Sequence, residues 1–149
     1  MTSVAIGSDH AGYPLKAVLQ EWLHDNGYEI VDVGTDSEES CDYPVFGAAV
    51  GRAVASGAVD VGVAVCGSGL GICMAANKIP GVRGAVLRTA EDAELSRRHN
   101  DANVACFGAR ITAAAEAEHA LSVFLATEFD GGRHARRVEL LGELDDEGR

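Results

Sequence analysis

Short apolar runs alternate along this chain with longer stretches in which apolar residues recur every three or four positions. The short runs predict β-strands, and the three-to-four-residue spacing predicts amphipathic helices. The predicted strands cover residues 3–7, 28–33, 60–65, 83–87 and 103–108. The predicted helices cover residues 14–27, 43–55, 70–79, 89–99, 113–127 and 133–141. Strands that alternate with helices form right-handed βαβ units, so the pattern predicts a parallel sheet with helices on both faces.

Two of the strands differ in how their apolar residues are arranged. The segment 60–65, D-V-G-V-A-V, is apolar on both faces after its first residue, which is typical of a central strand. The segment 28–33, Y-E-I-V-D-V, alternates polar and apolar positions and is therefore predicted at an edge or in a half-buried position.

Length and composition predict one domain over residues 1–149, with an acidic tail from about residue 142. The net charge of −11 argues against nucleic acid and anionic membranes as partners. No run of about 18 apolar residues predicts a membrane span, and the first residues lack the basic region of a signal peptide. The four cysteines have no CxxC spacing, so we expect free thiols in a cytoplasmic protein.

Two glycine-containing segments follow the first and third predicted strands and therefore open at the same edge of the sheet. They are G-S-D-H-A-G at 7–12 and C-G-S-G-L-G at 66–71. Ligands of such sheets bind outside the carboxyl ends of the strands. A glycine-rich turn that leads into a helix directs free N–H groups outward and suits a phosphate or a reaction oxyanion. The alternative interpretation is a tight turn with glycines for packing only.

Cys66 lies at the tip of the third strand, where the following helix favours a thiolate that could be a base or a nucleophile. The letters around Ser68 do not form the G-x-S-x-G nucleophile elbow. They also lack the dinucleotide fingerprint and the G-K-[ST] of a P-loop.

Basic residues are concentrated at positions 133–137, where Arg133 and Arg137 share one helix face. Paired arginines suit the oxygens of a phosphate, and the alternative is a solvated start of a helix. His99 is predicted at the amino edge, roughly 17 Å from the carboxyl edge. It therefore either caps its helix or completes the site of a neighbouring subunit. His24 and His119 are expected at the surface, and no histidine pair has ligand spacing, so no metal is predicted.

Seven motifs together resemble the family of type B ribose-5-phosphate isomerases, which also includes the subunits of galactose-6-phosphate isomerase. They are G-S-D-H-A-G at 7–12, D-Y-P at 42–44, C-G-S-G-L-G-I at 66–72, A-A-N-K at 75–78, S-R-R-H-N-D at 96–101, F-G-A-R at 107–110 and G-G-R-H-A-R-R-V at 131–138. The resemblance runs from about residue 3 to residue 140. It implies a Rossmann-like, three-layer α/β/α sandwich with a five-stranded parallel sheet, no cofactor, and a homodimer or homotetramer with shared active sites.

The resemblance also implies roles for individual residues. Cys66 would be the base, Ser68 would shuttle a hydroxyl proton, and His99 would open the sugar ring across the dimer. A subset of the family uses a Glu at the position of Ile72 instead, which leaves Cys66 as the base here. The enediolate oxygen would be bound by the backbone of Gly67, Ser68, Gly69 and Gly71. Sugar oxygens would be contacted by Asp9, Tyr43 and Asn100. The phosphate end would be lined by His10, Arg110, Arg133, His134 and Arg137.

The predicted function is interconversion of ribose 5-phosphate and ribulose 5-phosphate through a cis-enediolate. This reaction would place the protein in the pentose phosphate pathway. An alternative is the same reaction on allose 6-phosphate, galactose 6-phosphate or a tetrulose 4-phosphate. Two further alternatives are a Cys–His hydrolase that uses Cys66 as nucleophile with Asp9 and His10 nearby, and a non-catalytic sugar-phosphate-binding module.

Overall fold

Five parallel strands form one sheet in the computed structural model of the chain, which describes residues 2–147. The strands are β1 (Ser3–Ser8), β2 (Glu29–Gly34), β3 (Val61–Cys66), β4 (Gly84–Val86) and β5 (Val104–Gly108). The helices are α1 (Tyr13–Asp25), α2 (Tyr43–Ala55), α3 (Leu70–Asn77), α4 (Ala90–Asn100), α5 (Ala114–Ala126) and α6 (Arg133–Leu144). The predicted order of strands and helices is confirmed.

The strand order across the sheet is β2-β1-β3-β5-β4. The strand β3 is central and lies between β1 and β5, which explains why its residues are apolar on both faces. The strand β2 is at one edge, as its alternation predicts, and Val31 on it is exposed.

The helices cover both faces of the sheet, so the predicted three-layer arrangement is confirmed. Alternate residues of β1 divide between two cores, because successive side chains of a strand point to opposite faces. Val4 and Ile6 pack with residues of α1 and α5, among them Leu19 and Phe124. Ala5 packs on the other face, in the cluster that contains residues of α2 and α3.

The ends of some elements differ from the prediction. The helix α3 ends at Asn77, because the N–H groups of Lys78 and Ile79 bond three residues back in a tighter turn before Pro80. The strand β4 has three residues and pairs with β5 at the edge of the sheet opposite β2.

The last helix is longer than predicted, because residues 142–144, at the start of the acidic segment, continue α6. Beyond the helix, the Asp145 carboxylate accepts a hydrogen bond of 2.8 Å from the Gly81 N–H. This contact ties the end of α6 to the turn that precedes β4. None of the helices described within residues 2–147 is long and apolar enough to cross a membrane.

Candidate active site

A cleft of about 400 Å³ opens at the carboxyl edge of β1 and β3. The residues that line it are Asp9, His10, Ala11, Tyr43, Cys66, Gly67, Ser68, Gly71 and Arg110. Each of these residues except Ala11 is a site residue predicted from the sequence. The topology explains this gathering, because parallel neighbouring strands place the loops after β1 and β3 side by side.

Cys66 is the last residue of β3 and is buried, with a free thiol. The Gly69 N–H donates a hydrogen bond of 3.2 Å to its Sγ. Gly69 precedes the first turn of α3 and has a φ of +79°, a left-handed conformation that favours glycine. The amino end of α3 therefore faces the sulfur atom, and a helix N-terminus interacts favourably with negative charge.

The loop after Cys66 is fastened to the residues that directly follow β5. The carbonyl groups of Cys66 and Gly67 accept N–H bonds of 2.9 Å from Ala109 and Arg110. The Ser68 hydroxyl oxygen accepts a bond of 3.2 Å from the Leu70 N–H, so its own proton is available to another acceptor.

Gly71 allows Tyr43 to form one wall of the cleft. A Cβ atom added at Gly71 would lie 2.7 Å from the Tyr43 ring, so a larger residue at this position would displace the ring from its present place. Gly71 also lies in the first turn of α3, where N–H groups have no acceptor within the helix. The Gly71 N–H is therefore available to an oxyanion, whereas the Leu70 N–H already donates to the Ser68 hydroxyl.

The loop after β1 holds Asp9 and His10 by backbone contacts. The Asp9 carboxylate is buried and accepts a bond of 2.9 Å from the Gly12 N–H. His10 Nδ1 accepts a bond of 3.2 Å from the Cys41 N–H. A neutral ring with Nδ1 as acceptor carries its proton on Nε2, which can donate to a ligand. Sequence reasoning attached no role to Cys41, and no pattern in its loop indicates this contact.

Lys16 is a second residue that sequence reasoning missed. Its side chain is only 1% exposed, and Nζ donates to Asp32 Oδ1 at 2.7 Å and to the Thr35 carbonyl. These bonds fasten the start of the loop that carries Cys41 and leads to Tyr43. A signal was available, because Lys16 lies three residues before Leu19 on the apolar face of α1.

A second group of predicted site residues does not line the cleft. They are His99, Asn100, Arg133, His134 and Arg137, which lie at the end of α4 and on α6. The rings of His99 and His134 stack with their centroids 4.3 Å apart. Reduced hydration, followed by electrostatic repulsion from His99, Arg133 and Arg137, lowers the pKa of His134. His99 is thus not among the residues that line the Cys66 cleft of its own chain.

Three potential metal ligands lie together in the structure although no sequence spacing indicates them. The sequence showed no histidine pair with ligand spacing, but the fold brings His99, His134 and Asp130 together with ligand atoms within 4.8 Å of one another. The two imidazole planes differ by 11°, so their nitrogens point side by side rather than toward one ion. Both oxygens of Asp130 accept bonds of 3.2 Å from Arg98 Nε. This group is therefore a poor ligand set for a metal as it stands.

Known proteins resemble the chain along nearly its whole length. The family model described as Ribose/Galactose Isomerase matches residues 4–141. Ribose-5-phosphate isomerase B of Escherichia coli is 41% identical, and the match covers 97% of each chain. The structure of Clostridium thermocellum ribose-5-phosphate isomerase B is 46% identical and covers 99% of each chain with a TM-score of 0.97. The structure of the Mycoplasma genitalium ribose-5-phosphate isomerase B with bound ribulose-5-phosphate is 36% identical and covers 97% of each chain with a TM-score of 0.93.

Proposed function

Because the chain belongs to the ribose/galactose isomerase family, we propose that it interconverts ribose 5-phosphate and ribulose 5-phosphate as an aldose–ketose isomerase. The observation that carries this proposal is the buried Cys66 thiol, which faces the start of α3 inside a cleft lined by polar residues. The family description also names galactose, so the five-carbon substrate is the part of the proposal that needs direct measurement.

The proposed reaction consists of proton transfers. The Cys66 thiolate removes the proton from C2 of the open-chain aldose, and the electrons move onto the aldehyde oxygen to form a cis-enediolate. Ser68 passes the hydroxyl proton from O2 to O1, and Cys66 returns its proton to C1, which yields the ketose. General acid–base chemistry of this kind needs no redox group or Lewis acid, so no cofactor is proposed.

The negative charge of the enediolate requires donors that are already in place. The N–H groups of Gly67, Ser68 and Gly71 would supply them. The N–H groups of Gly69 and Leu70 donate to Cys66 Sγ and to the Ser68 hydroxyl, and would keep these two groups in place. Asp9 and Tyr43 line the cleft where they would bind sugar hydroxyls, and Arg110 and the Nε2–H of His10 would bind the phosphate.

We infer that the site is completed by a second copy of the chain in a homodimer or homotetramer. Two observations support this. His99 and Asn100 lie outside the cleft, and α6 is amphipathic but has no buried residue. Its Leu141 and Leu144 are exposed, as are Leu70 and Met74 near the cleft. Pairing of these apolar surfaces would bring the His99, Asn100, Arg133, His134 and Arg137 of one copy to the Cys66 of another.

The remaining parts of the proposal concern the whole chain. The family match extends over residues 4–141, which supports a single domain for residues 1–149. The four free cysteines and the net charge of −11 support a cytoplasmic protein that acts on a small anionic substrate.

Turnover of ribose 5-phosphate by the purified protein, with chelator present, tests the reaction. Erythrulose 4-phosphate and allose 6-phosphate measured in parallel test the substrate. Efficient conversion of ribose 5-phosphate is expected. Conversion of only another sugar phosphate would keep the chemistry and change the substrate. Binding of sugar phosphates without any turnover would favour a binding module and overturn the proposal.

Cys66→Ala tests the base. We expect the variant to lose turnover by a factor of about 10³ or more while ribulose 5-phosphate still binds, because the backbone donors remain. Cys73→Ala is the matched control, since Cys73 is also a buried free cysteine but does not line the cleft. Near-normal turnover by Cys66→Ala would exclude the proposed mechanism.

A mixed dimer tests the shared site. Subunits carrying Cys66→Ala and His99→Asn, each inactive alone, are co-expressed with different affinity tags and purified by both tags. Each mixed dimer has one intact site, so about half of wild-type activity is expected. Mixed dimers as inactive as their parents would show that both residues act within one subunit.

A further inference from the structure

The end of α4 is held in an unusual backbone conformation. Asp101 follows Asn100, the last residue of the helix, with a φ of +48° and a ψ of 45°. Within residues 2–147 it is the only residue other than glycine with a positive φ. Asp and Asn tolerate this left-handed conformation better than other side chains do. The turn ends the helix directly after His99 and Asn100.

The Asp101 carboxylate joins two arginines across this turn. Oδ1 accepts from Arg97 Nη1 at 2.8 Å, and Oδ2 lies 3.4 Å from Arg83 Nη2. The Asp101 carbonyl also accepts from Arg83 Nε at 2.8 Å. Arg97 in addition donates to the Thr127 carbonyl at the end of α5. All three side chains of this cluster are partly buried.

Arg83 is itself fixed to the edge of the sheet. Its N–H donates to Asn103 Oδ1 at 2.7 Å, and Asn103 Nδ2 donates to the Gly81 carbonyl at 2.9 Å. The cluster therefore connects α4 to the residues before β4 and β5 and to the end of α5. Among the described residues, the side chains of His99 and Asn100 make no hydrogen bond of their own. Without the cluster, the His99 ring would keep its stack on His134, but the backbone of both residues would belong to a helix end, which tends to fray.

We propose that Asp101 is a positioning residue, which holds His99 and Asn100 in the geometry required at the Cys66 site of the partner subunit. This inference rests on the proposed function, because it assumes that His99 opens the sugar ring. Both carboxylate oxygens face arginines, so the carboxylate acts through His99 and Asn100. It acts by fixing the last turn of α4 before the substrate arrives, which is the condition for fast chemistry in a preorganised site.

Two substitutions of Asp101 distinguish the effect of the left-handed turn from the effect of the carboxylate. Asp101→Gly keeps the left-handed turn and the bond from Arg83 Nε to the backbone carbonyl, and it removes the carboxylate bonds to Arg97 and Arg83. Asp101→Asn keeps the turn and the acceptor for Arg97. We expect Asp101→Gly to lower kcat on ribose 5-phosphate by about 10- to 100-fold, since small misplacements of catalytic groups have effects of this size. Asp101→Asn should recover most of the activity.

Asp92→Ala is the matched control for general effects on α4. Asp92 lies in the first turn of the same helix, where its carboxylate accepts a bond of 2.9 Å from the Arg88 N–H. Its loss should weaken the helix without moving His99, so kcat should stay near the wild-type value. An equal fall in kcat for Asp92→Ala and Asp101→Gly would mean that only helix stability matters and would overturn the proposal.

Mixed dimers give the decisive measurement. A dimer of Asp101→Gly and Cys66→Ala subunits should recover about half of wild-type activity, because the Cys66→Ala subunit supplies an undisturbed α4 end to the intact Cys66. A dimer of Asp101→Gly and His99→Asn subunits should recover none, because both changes affect the same half of the site.

The outcomes separate this inference from the function on which it rests. The control is the mixed dimer of Cys66→Ala and His99→Asn subunits, which recovers activity if the site is shared. If this control recovers activity, two results would overturn the positioning role of Asp101: a wild-type kcat in Asp101→Gly, or a mixed dimer of Asp101→Gly and Cys66→Ala subunits that recovers no activity. If the control fails as well, the shared site itself is refuted, and the positioning of His99 for a partner is refuted with it.

Discussion

Gly69 is the position where one added methyl group should most clearly disturb both stability and activity. A Cβ atom there would lie 2.9 Å from the Phe107 carbonyl carbon and 3.0 Å from the Gly108 nitrogen. These are backbone atoms of β5, which cannot rotate away as a flexible side chain can. The φ of +79° adds a second cost, because alanine in the left-handed region is less stable by about 1–2 kcal/mol.

Gly57 provides a control with the same backbone conformation. Its φ is +78°, and an added Cβ would meet no heavy atom within 4 Å. Alanine also reduces the conformational entropy of the unfolded chain, which offsets the cost of the left-handed conformation by about 0.4–1 kcal/mol. We therefore expect Gly57→Ala to lower the free energy of unfolding by about 1 kcal/mol. Gly69→Ala should lower it by about 2–4 kcal/mol, because the contact with β5 adds about 1–3 kcal/mol.

The same substitution should affect the reaction. If the loop rotates to relieve the contact with β5, the Gly69 N–H moves away from Cys66 Sγ, to which it now donates at 3.2 Å. Loss of one such donor in an oxyanion site lowers kcat by about 10²–10³. We expect kcat of Gly69→Ala to fall at least about tenfold, and that of Gly57→Ala to stay unchanged.

Urea unfolding of both variants measures stability, and turnover of ribose 5-phosphate measures kcat. The reasoning fails if the two variants have free energies of unfolding within about 0.5 kcal/mol of each other and both turn over at the wild-type rate. That result would mean that the close approach of the loop to β5 has no energetic effect and that the Gly69 N–H does not contribute to the site.

Three further predictions follow from charges and core packing. The pKa of His134 is lowered by reduced hydration and then by the nearby His99, so the contribution of His134 to stability is present above a pH of about 6.5 and is lost as the pH falls below it. His134→Gln should therefore make the free energy of urea unfolding depend less on pH between pH 8 and pH 5. An unchanged dependence on pH would contradict this. Hydrogen bonds from the N–H and the hydroxyl of Ser3 lower the pKa of Asp60, so the contribution of Asp60 to stability is present above a pH of about 4 and is lost below it. Asp60→Asn should therefore lose less stability than the wild type between pH 7 and pH 3, which thermal melts at both pH values would detect. Leu19→Ala removes a fully buried side chain and should lower the free energy of unfolding by about 2–5 kcal/mol without changing kcat of the folded enzyme. A lower kcat with an unchanged free energy of unfolding would refute this separation of core and site.

Local patterns were sufficient for the strand order near the centre of the sheet and for the position of the cleft. The apolar segment at 60–65 predicted a central strand, and β3 is central. The glycine segments after β1 and β3 predicted a common edge, and Asp9, Cys66 and Ser68 line one cleft there. The roles of these residues stay predictions, because position in a cleft does not establish chemistry.

Other features were not accessible to the same reasoning. The bond from the Cys41 N–H to His10 joins residues 31 positions apart, and the stack of His99 on His134 joins two helices that are separated by β5 and α5. The left-handed turn at Asp101 depends on Arg83, which is 18 positions away. Nothing in the local spacing of these residues indicates that they meet.

The sequence alone determined the class of the fold, the order of its elements and the segments that meet at the carboxyl edge. These properties follow from the period of apolar residues and from the handedness of βαβ units, which act over a few residues at a time. The tertiary structure alone decided that the basic residues of α6 stand apart from the Cys66 cleft, that Lys16 is buried beneath the loop to Tyr43, and that α6 continues to Leu144. These are packing outcomes, in which side chains far apart in the chain compete for the same space and the same hydrogen-bond partners.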